Sequence, residues 1–539
     1  MDADGHIQAD VLIVGSGPVG AVAARRLVEA GRSVVMVEAG AKYSERPGAH
    51  LKNSLQYQRN LDLFSNIIRG HLHLVSVPPN PTPEITLDPG CFAFDLERFS
   101  GFVQNNQNPD QDPRRNLDAA AVTYGVGGMA THWTCATPRH HPTLERHHFF
   151  SEEDWERLYV DAEHLVNTHH DAYDDSIRHQ LVRDALSAEF TELVEPYQVQ
   201  SLPLAVQRRE DNPELVHWTG TDTVFGPLAD GEHADRFTLL PEHVCRRLVT
   251  SADGSRVRFA EVQRHSPWGR LRIEAETFMV AANAICTPQI LWASGIRPEP
   301  LGRYLTEQPV SFCQIVARQD LVEGLARDER FAARVEAHRQ ANPDDPVPIP
   351  ADDPEPQVWI PVSEERPWHC QIHRDAFHYG AVAPNVDSRL VVDLRWFGIV
   401  DPRPDNRVTF SDRFTDSFDM PQPTFEFTLV EPDRQRQHRM AKDMMRAASA
   451  LGGFLPHSEP QFVAPGLPLH FAGTTRMGDN HETSVVDANS RVWGIENLYL
   501  GGNGLIPNGQ ASNPTLTSVA MALRAVEHVV ATGRDTLAS

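Results

Sequence analysis

Cysteine is scarce in this chain, with six in 539 residues. They stand at Cys91, Cys135, Cys245, Cys286, Cys313 and Cys370, and no two form a C-x-x-C pair. Zinc sites and dithiol motifs of the usual spacing are therefore excluded. A disulfide framework is not expected in a chain this long and this poor in cysteine. No apolar run reaches membrane-spanning length. The opening MDADGHIQAD has no basic region and no apolar stretch, so no secretory leader is expected. Basic side chains are outnumbered, 49 against 73 acidic ones, for a formal net charge of −24. That field repels nucleic acid and anionic lipid, so neither is expected as a partner. What remains is a cytoplasmic globular protein of two or three structural units.

What is present begins at Val11. The stretch VLIVGSGPVGAVAARRLVEAGRSVVMVEAG, to Gly40, reads as strand, glycine turn, helix, strand. Gly15, Gly17 and Gly20 stand in G-x-G-x-x-G spacing. Gly15 permits the tight turn, Gly17 lets backbone N–H groups approach a pyrophosphate, and Gly20 lets the helix lie close to the strand. The helix N-terminus then faces the phosphate charge. Glu38 ends the second strand, 18 residues after Gly20, where an acid can accept from the adenosine ribose diol. An acid there repels a ribose phosphate, which disfavours NADP. The stretch alone does not separate FAD from NAD.

Residues 41–118 turn polar and irregular, with PPNPTPE at 78–84, yet retain Phe92, Phe94, Phe99 and Phe102. A cover over the site is expected there. Gly125, Gly127 and Gly128 suggest close backbone approach to a flat or charged group, and His132, Trp133 and Thr134 follow. The pairs His140–His141, His147–His148 and His169–His170 lack the fixed spacing of metal ligands and read as solvated surface. Residues 151–200 read as mainly helical. Residues 237–280 alternate as antiparallel strands do, with turns at Asp253–Gly254 and Trp268–Gly269. Met279–Ile296 reads as a buried strand and helix returning to the first sheet. The proline-rich 341–357 reads as an extended surface insertion. Residues 358–430 are strand-rich, 433–451 form a helix, and 469–534 return to strand and helix.

The C-terminal LHFAGTTRMGDNHETSVVDANSRVWGIENLYLGGNGLIPNGQASNPTLTSVAMALRAVEHV resembles the closing segment of the glucose–methanol–choline flavoprotein oxidoreductases. Within that group THWTCATP at 131–138, QDPRRNLD at 111–118, YLTEQPVSFCQIV at 304–316 and QIHRDAFHYG at 371–380 are similar to pyranose oxidase segments. The resemblance implies an α/β fold: a Rossmann-like FAD-binding domain (1–145, 231–310 and 461–539) and an α+β substrate domain on a mostly antiparallel sheet (146–230 and 311–460). Asn283 stands where relatives carry glycine, and a local backbone adjustment is expected. The chain is shorter than fungal pyranose oxidases, and residues 317–357 do not look like their oligomerising parts, which points to a monomer or small homo-oligomer.

The chemistry implied is oxidation of a pyranose hydroxyl at carbon 2 or carbon 3 to a ketone, with oxygen or a quinone as acceptor. Glycosides with an aromatic aglycone, oxidised at carbon 3, form a second substrate class. Other alcohol oxidoreductases of the superfamily and a non-catalytic flavin module are rival readings. A base near neutrality suits the proton transfer. By resemblance it is His470, at the end of an expected strand, with Asn513 as its partner; taken singly, they would read as a core histidine and a helix cap. His132 would bond covalently to the flavin, and Thr134 would lie near its reactive nitrogen. Gly502 and Asn503 would approach the flavin, with Gly127 and Gly128 beside it and Val244 near the adenine. Gln371, Asp375 and Arg395 would hold the sugar between Phe377 and Tyr379.

Overall fold

The computed structural model describes residues 5–53, 67–68, 71–76, 108, 110–212, 215–265, 267–373, 382 and 385–535. Strand β1 (His6–Val14) leads through Gly17 into helix α1 (Pro18–Glu29) and strand β2 (Val34–Val37). Pro18 opens α1, where its missing N–H costs nothing. Helices α2 (Glu152–Val166) and α3 (Ile177–Glu189) follow, each started by a serine whose hydroxyl accepts a backbone N–H. The chain then forms β3 (Phe237–Leu240), β4 (His243–Thr250), β5 (Val257–Arg264), β6 (Gly269–Val280) and helix α4 (Asn283–Ala293). Strands β7 (Val310–Ala317), β8 (Gln357–Ile360), β9 (Trp368–His373) and β10 (Val391–Gly398) precede helix α5 (Glu431–Leu451). Strand β11 (Leu498–Leu500) and helix α6 (Thr515–Asp535) close the chain.

Among the described residues the first sheet runs β3-β2-β1-β6-β5-β4, with β11 added beside β6. Strands β3, β2, β1, β6 and β11 are parallel, and β5 and β4 extend the sheet as antiparallel hairpins. Val11–Val14 are buried, as a central parallel strand covered on both faces requires. The register pairs Val14 with Val37 and Val280, and Val280 with Leu500. The carboxyl ends of four parallel strands therefore finish at one edge, where open α/β sheets bind ligands.

The second sheet runs β7-β10-β9-β8 through antiparallel pairs. Its side chains alternate between two faces. Trp368, Cys370, Ile372, Leu394 and Trp396 join a buried cluster with Leu186 of α3 and Met440, Met444 and Leu451 of α5. The intervening positions, Gln371, Arg395 and Phe397, turn to the other face and line a large cavity. The two sheets match the α/β fold with an antiparallel second unit. No helix among the described residues is long and apolar enough to cross a membrane.

Four expectations need correction. FTLL (β3) pairs parallel with β2 and belongs to the parallel core, because β2 needs a neighbour on its outer edge. The stretch 341–357 is exposed at its start but packs over its second part. Val347 and Ile349 are buried in a cluster with Phe331 and Val335, and buried Asp353 accepts from Ile177 N (3.0 Å) and Arg178 N (3.0 Å) to cap α3. His140, His141 and His147 are buried, not solvated; aromatic neighbours such as Trp155, with its ring centroid 4.8 Å from that of His147, cover them. His470 lies in irregular backbone rather than at a strand end. Phe92, Phe94, Phe99 and Phe102 lie outside the described residues.

Candidate active site

A cavity of about 690 Å³ runs from the Gly15 turn to the inner face of the second sheet. At the first end each glycine has its own reason. Gly15 has φ +101°, and a Cβ there would sit 2.4 Å from the Ala281 carbonyl oxygen. A Cβ on Gly20 would sit 2.1 Å from the Gly15 carbonyl oxygen, so α1 lies against the turn with no room to spare. A Cβ on Gly17 would meet nothing within 4 Å, which leaves its backbone open to the cavity. Gly15 and Gly17 line the wall, and Gly20 supports it from behind.

Glu38 lines the same end and is held on both oxygens. Ser16 donates to Oε2 from its backbone N (3.1 Å) and its hydroxyl (2.7 Å), and Gly40 N donates to Oε1 (2.9 Å). Burial raises the pKa of this carboxyl, and the bonds from Gly40 and Ser16 oppose that rise. Gly127 N donates to the Ser16 hydroxyl (3.0 Å), so the second glycine cluster is fastened to the first. Gly128 and Val244 line the wall, while Gly127 stands behind it. Asn283 adopts φ +64° and its Oδ1 accepts from Ile285 N (2.8 Å) and Cys286 N (2.9 Å), the local adjustment expected of a residue replacing glycine. An open glycine turn, an acid at the end of β2 and a cavity reaching from that turn to the second sheet fit an FAD.

His132 sits midway, 2% exposed, with Nε2 3.2 Å from Thr123 Oγ1 and Nδ1 3.1 Å from Thr131 Oγ1. Burial, with His71 and His50 nearby, pushes its pKa down to about 3, so the ring is neutral and a nitrogen lone pair is available. Thr134 lines the wall next to Cys135, whose φ is +59°. Gly502 and Asn503 also line the wall, and Asn503 Oδ1 accepts from Ser518 Oγ (2.7 Å).

The far end is polar. His470 Nδ1 lies 2.8 Å from Gln308 Oε1, and its Nε2 lies 3.4 Å from Asn513 Nδ2. Burial, then the charge of His140, lowers the His470 pKa to about 4. The ring is thus neutral and able to accept a proton. Leu469, just before it, is held at φ +62°, a conformation costly for a branched side chain and common at functional sites. Gln371 and Arg395 are cross-strand partners in β9 and β10, so their side chains share a face. Gln371 Nε2 donates to Asn513 Oδ1 (2.5 Å). The cavity thus brings together Gly15, Gly17, Glu38, Gly128, His132, Thr134, Val244, Gly502, Asn503, His470, Asn513, Gln371 and Arg395. Asp375, Phe377 and Tyr379 lie outside the described residues.

Sequence reasoning missed Ser16, which anchors Glu38. It missed Phe397, whose ring centroid lies 5.8 Å from that of His470. It also gave no role to Glu307 and Gln308, although both fall within the YLTEQPV motif. The signal was in hand for that pair, but contact with His470 across 162 positions was not.

Residues 402–522 match the GMC oxidoreductase family, and residues 8–67 match an FAD-binding domain. The chain is similar to a pyranose 2-oxidase of Tricholoma matsutake, 44% identical over 97% of this chain and 93% of that protein. It is also similar to a C-glycoside 3-oxidase of Microbacterium trichothecenolyticum, 34% identical over 97% of this chain and 96% of that protein. Its fold matches that of a formate oxidase of Aspergillus oryzae, with a TM-score of 0.66 and 15% identity over 99% of this chain and all (100%) of that one.

Proposed function

The chain belongs to the GMC oxidoreductase family, and from that membership we propose that it is an FAD-dependent oxidase converting a pyranose ring hydroxyl, at carbon 2 or carbon 3, to a ketone. The observation that carries this reading is the single cavity shared by the Gly15 turn and the His470–Asn513 pair. FAD, when bound, supplies the hydride acceptor. Neutral, buried His470 takes the hydroxyl proton, and the Asn513 amide orients that hydroxyl without competing for the proton. Gln371 and Arg395 read neighbouring hydroxyls, with Asp375, Phe377 and Tyr379 completing the sugar site. Gly15, Gly17, Gly20 and Glu38 hold the dinucleotide, and Gly127, Gly128, Thr134, Val244, Gly502 and Asn503 shape the rest of the flavin site. His132, neutral for want of solvent, forms the covalent tether.

The same reading assigns residues 1–145, 231–310 and 461–539 to the flavin domain and 146–230 and 311–460 to the substrate domain. It includes a cytoplasmic monomer or small homo-oligomer that passes electrons to oxygen or a quinone. A second reading, oxidation of aryl C-glycosides at carbon 3, is supported by the 34% identity with the C-glycoside 3-oxidase. Anaerobic mixing of the yellow protein with D-glucose, and separately with an aryl C-glycoside, distinguishes the two. Fast bleaching by glucose is expected, and identification of the keto sugar gives the carbon. Bleaching by the glycoside alone selects the second reading, and bleaching by neither overturns both.

A further inference from the structure

The YLTEQPV motif acquires a task when the bonds around His470 are followed by their polarity. Gln308 is buried between two partners. Its Nε2 lies 3.1 Å from the Ser512 carbonyl oxygen, and its Oε1 lies 2.8 Å from His470 Nδ1. A backbone carbonyl only accepts, so the amide nitrogen must face Ser512 and the amide oxygen must face the histidine. An amide oxygen also only accepts, so Nδ1 must carry the hydrogen. The His470 lone pair then lies on Nε2, the nitrogen facing Asn513 Nδ2.

Each end of this chain of bonds is anchored by a buried carboxyl group. Glu145 accepts from Ser512 N (2.8 Å), from Ser512 Oγ (2.9 Å) and from Ala511 N (2.8 Å), which fixes the carbonyl that fixes Gln308. Glu307 accepts from Gln308 N (2.7 Å) and, through Oε2, from His470 N (3.2 Å), which clamps the two residues to each other through their backbones. Among the described residues the titratable groups facing the ring are His140 and His369, whose positive charge would oppose its protonation, and Glu307 behind its backbone. None of them touches Nδ1 among the described contacts, so Gln308 decides the tautomer.

We propose that Gln308 is a positioning residue: it holds the His470 proton on Nδ1, leaving the Nε2 lone pair to take the substrate proton, while Glu307 locks the Gln308–His470 pair. This rests on the reading of His470 as the base. The step is a proton transfer with no change of oxidation state, and the O–H electron pair stays on the substrate oxygen. The substrate O–H bond breaks, Nε2–H forms, and Nδ1–H persists, strengthened toward Gln308 as the ring becomes cationic.

The test is the ring-nitrogen spectrum of ¹⁵N-histidine-labelled holoenzyme, with the His470 signals assigned by their loss in His470→Ala. The wild type is expected to show a protonated Nδ1 and a lone-pair Nε2. Gln308→Leu is expected to mix the tautomers. It should slow anaerobic flavin reduction by D-glucose about 100-fold, within the range that proton-transfer groups contribute, with the half-saturating sugar concentration little changed. Gln308→Glu keeps an acceptor at Nδ1. It is expected to recover most of the rate and to move the acid limb of the reduction profile to higher pH, because a carboxylate favours the imidazolium. A wild-type proton on Nε2 overturns the proposal, even if Gln308→Leu fails to fold. So does a Gln308→Leu protein that keeps the Nδ1–H tautomer, or a Gln308→Glu protein as slow as Gln308→Leu with no shift of the acid limb. The spectrum is independent of which group takes the substrate proton. Normal reduction by His470→Ala with Nδ1–H present in the wild type would therefore defeat the base assignment and leave the tautomer assignment standing.

Discussion

The two ends of the cavity are built on opposite plans. The dinucleotide end takes its turn, helix and acid from one contiguous stretch, Val14 to Glu38, with Gly40, Gly128 and Val244 added, and is shaped largely by backbone: a glycine at φ +101°, a helix N-terminus and amide donors. The far end draws Gln308, Gln371, His470 and Asn513 from four distant segments and is held by side-chain hydrogen bonds. A backbone cradle tolerates exchange of exposed side chains but no added atom at its contact points. A side-chain relay tolerates small displacements of backbone but no loss of a partner. The first plan suits a ligand held for the life of the enzyme. The second suits a proton that must move.

The comparison can be broken hardest at Gly20. A valine there drives its Cβ into the Gly15 carbonyl, 2.1 Å away, and no flexible neighbour can yield. Overpacking of this kind costs about 1–3 kcal/mol even where backbone shifts, and here the shift opens the turn itself. Gly20→Val is expected to purify colourless or insoluble, read from the flavin absorbance per protein. A yellow, stable variant would show that the cradle is not rigid. The next largest effect is at the junction of the two ends. His132→Ala should release its flavin into the supernatant on acid precipitation, whereas the wild-type pellet should stay yellow. Release from the wild type would remove the tether.

Acidity should act mainly on the buried imidazoles. Burial holds His132 and His369 at about 3 and His470 at about 4, below the ordinary 6.5. Between those values the unfolded chain binds protons that the folded chain refuses, so stability falls as pH drops from 6.5 toward 4. Urea melts at pH 7.5 and pH 5 measure the loss; equal midpoints would contradict the burial. The smallest effect concerns Glu307, whose carboxyl burial pushes up to about 8 from an ordinary 4.5. Its sign is reversed, because the folded chain keeps a proton that the unfolded chain releases, so this contribution is lost as pH rises through about 8. Glu307→Gln keeps an acceptor and removes the titration. It should be more stable relative to wild type at pH 8 than at pH 5, and the same difference at both would contradict the shift.

The contrast also explains what was legible in the sequence. Gly15, Gly17, Gly20 and Glu38 could be read directly, because each requirement is local and the spacing carries it. The second sheet was legible as a strand-rich stretch at 358–430, and Gln371 and Arg395 fell on its cavity face. His470 and Asn513 were legible through the resemblance; neither residue announces itself by local pattern. The polarity around His470 was not legible, because Gln308 reaches it only once two segments 162 positions apart are folded together. The burial of His140 and His147 and the packing within 341–357 were misread for the same reason. A polar or proline-rich string says that regular structure stops, not that the chain leaves the core.

The central claim is that both ends serve one reaction, and His470→Ala under anaerobic conditions tests it most directly. The account predicts a protein that is still yellow, still folded and not bleached by a sugar that bleaches the wild type. Bleaching at the wild-type rate would contradict it, because the far end of the cavity would then have no part in the chemistry assigned to it.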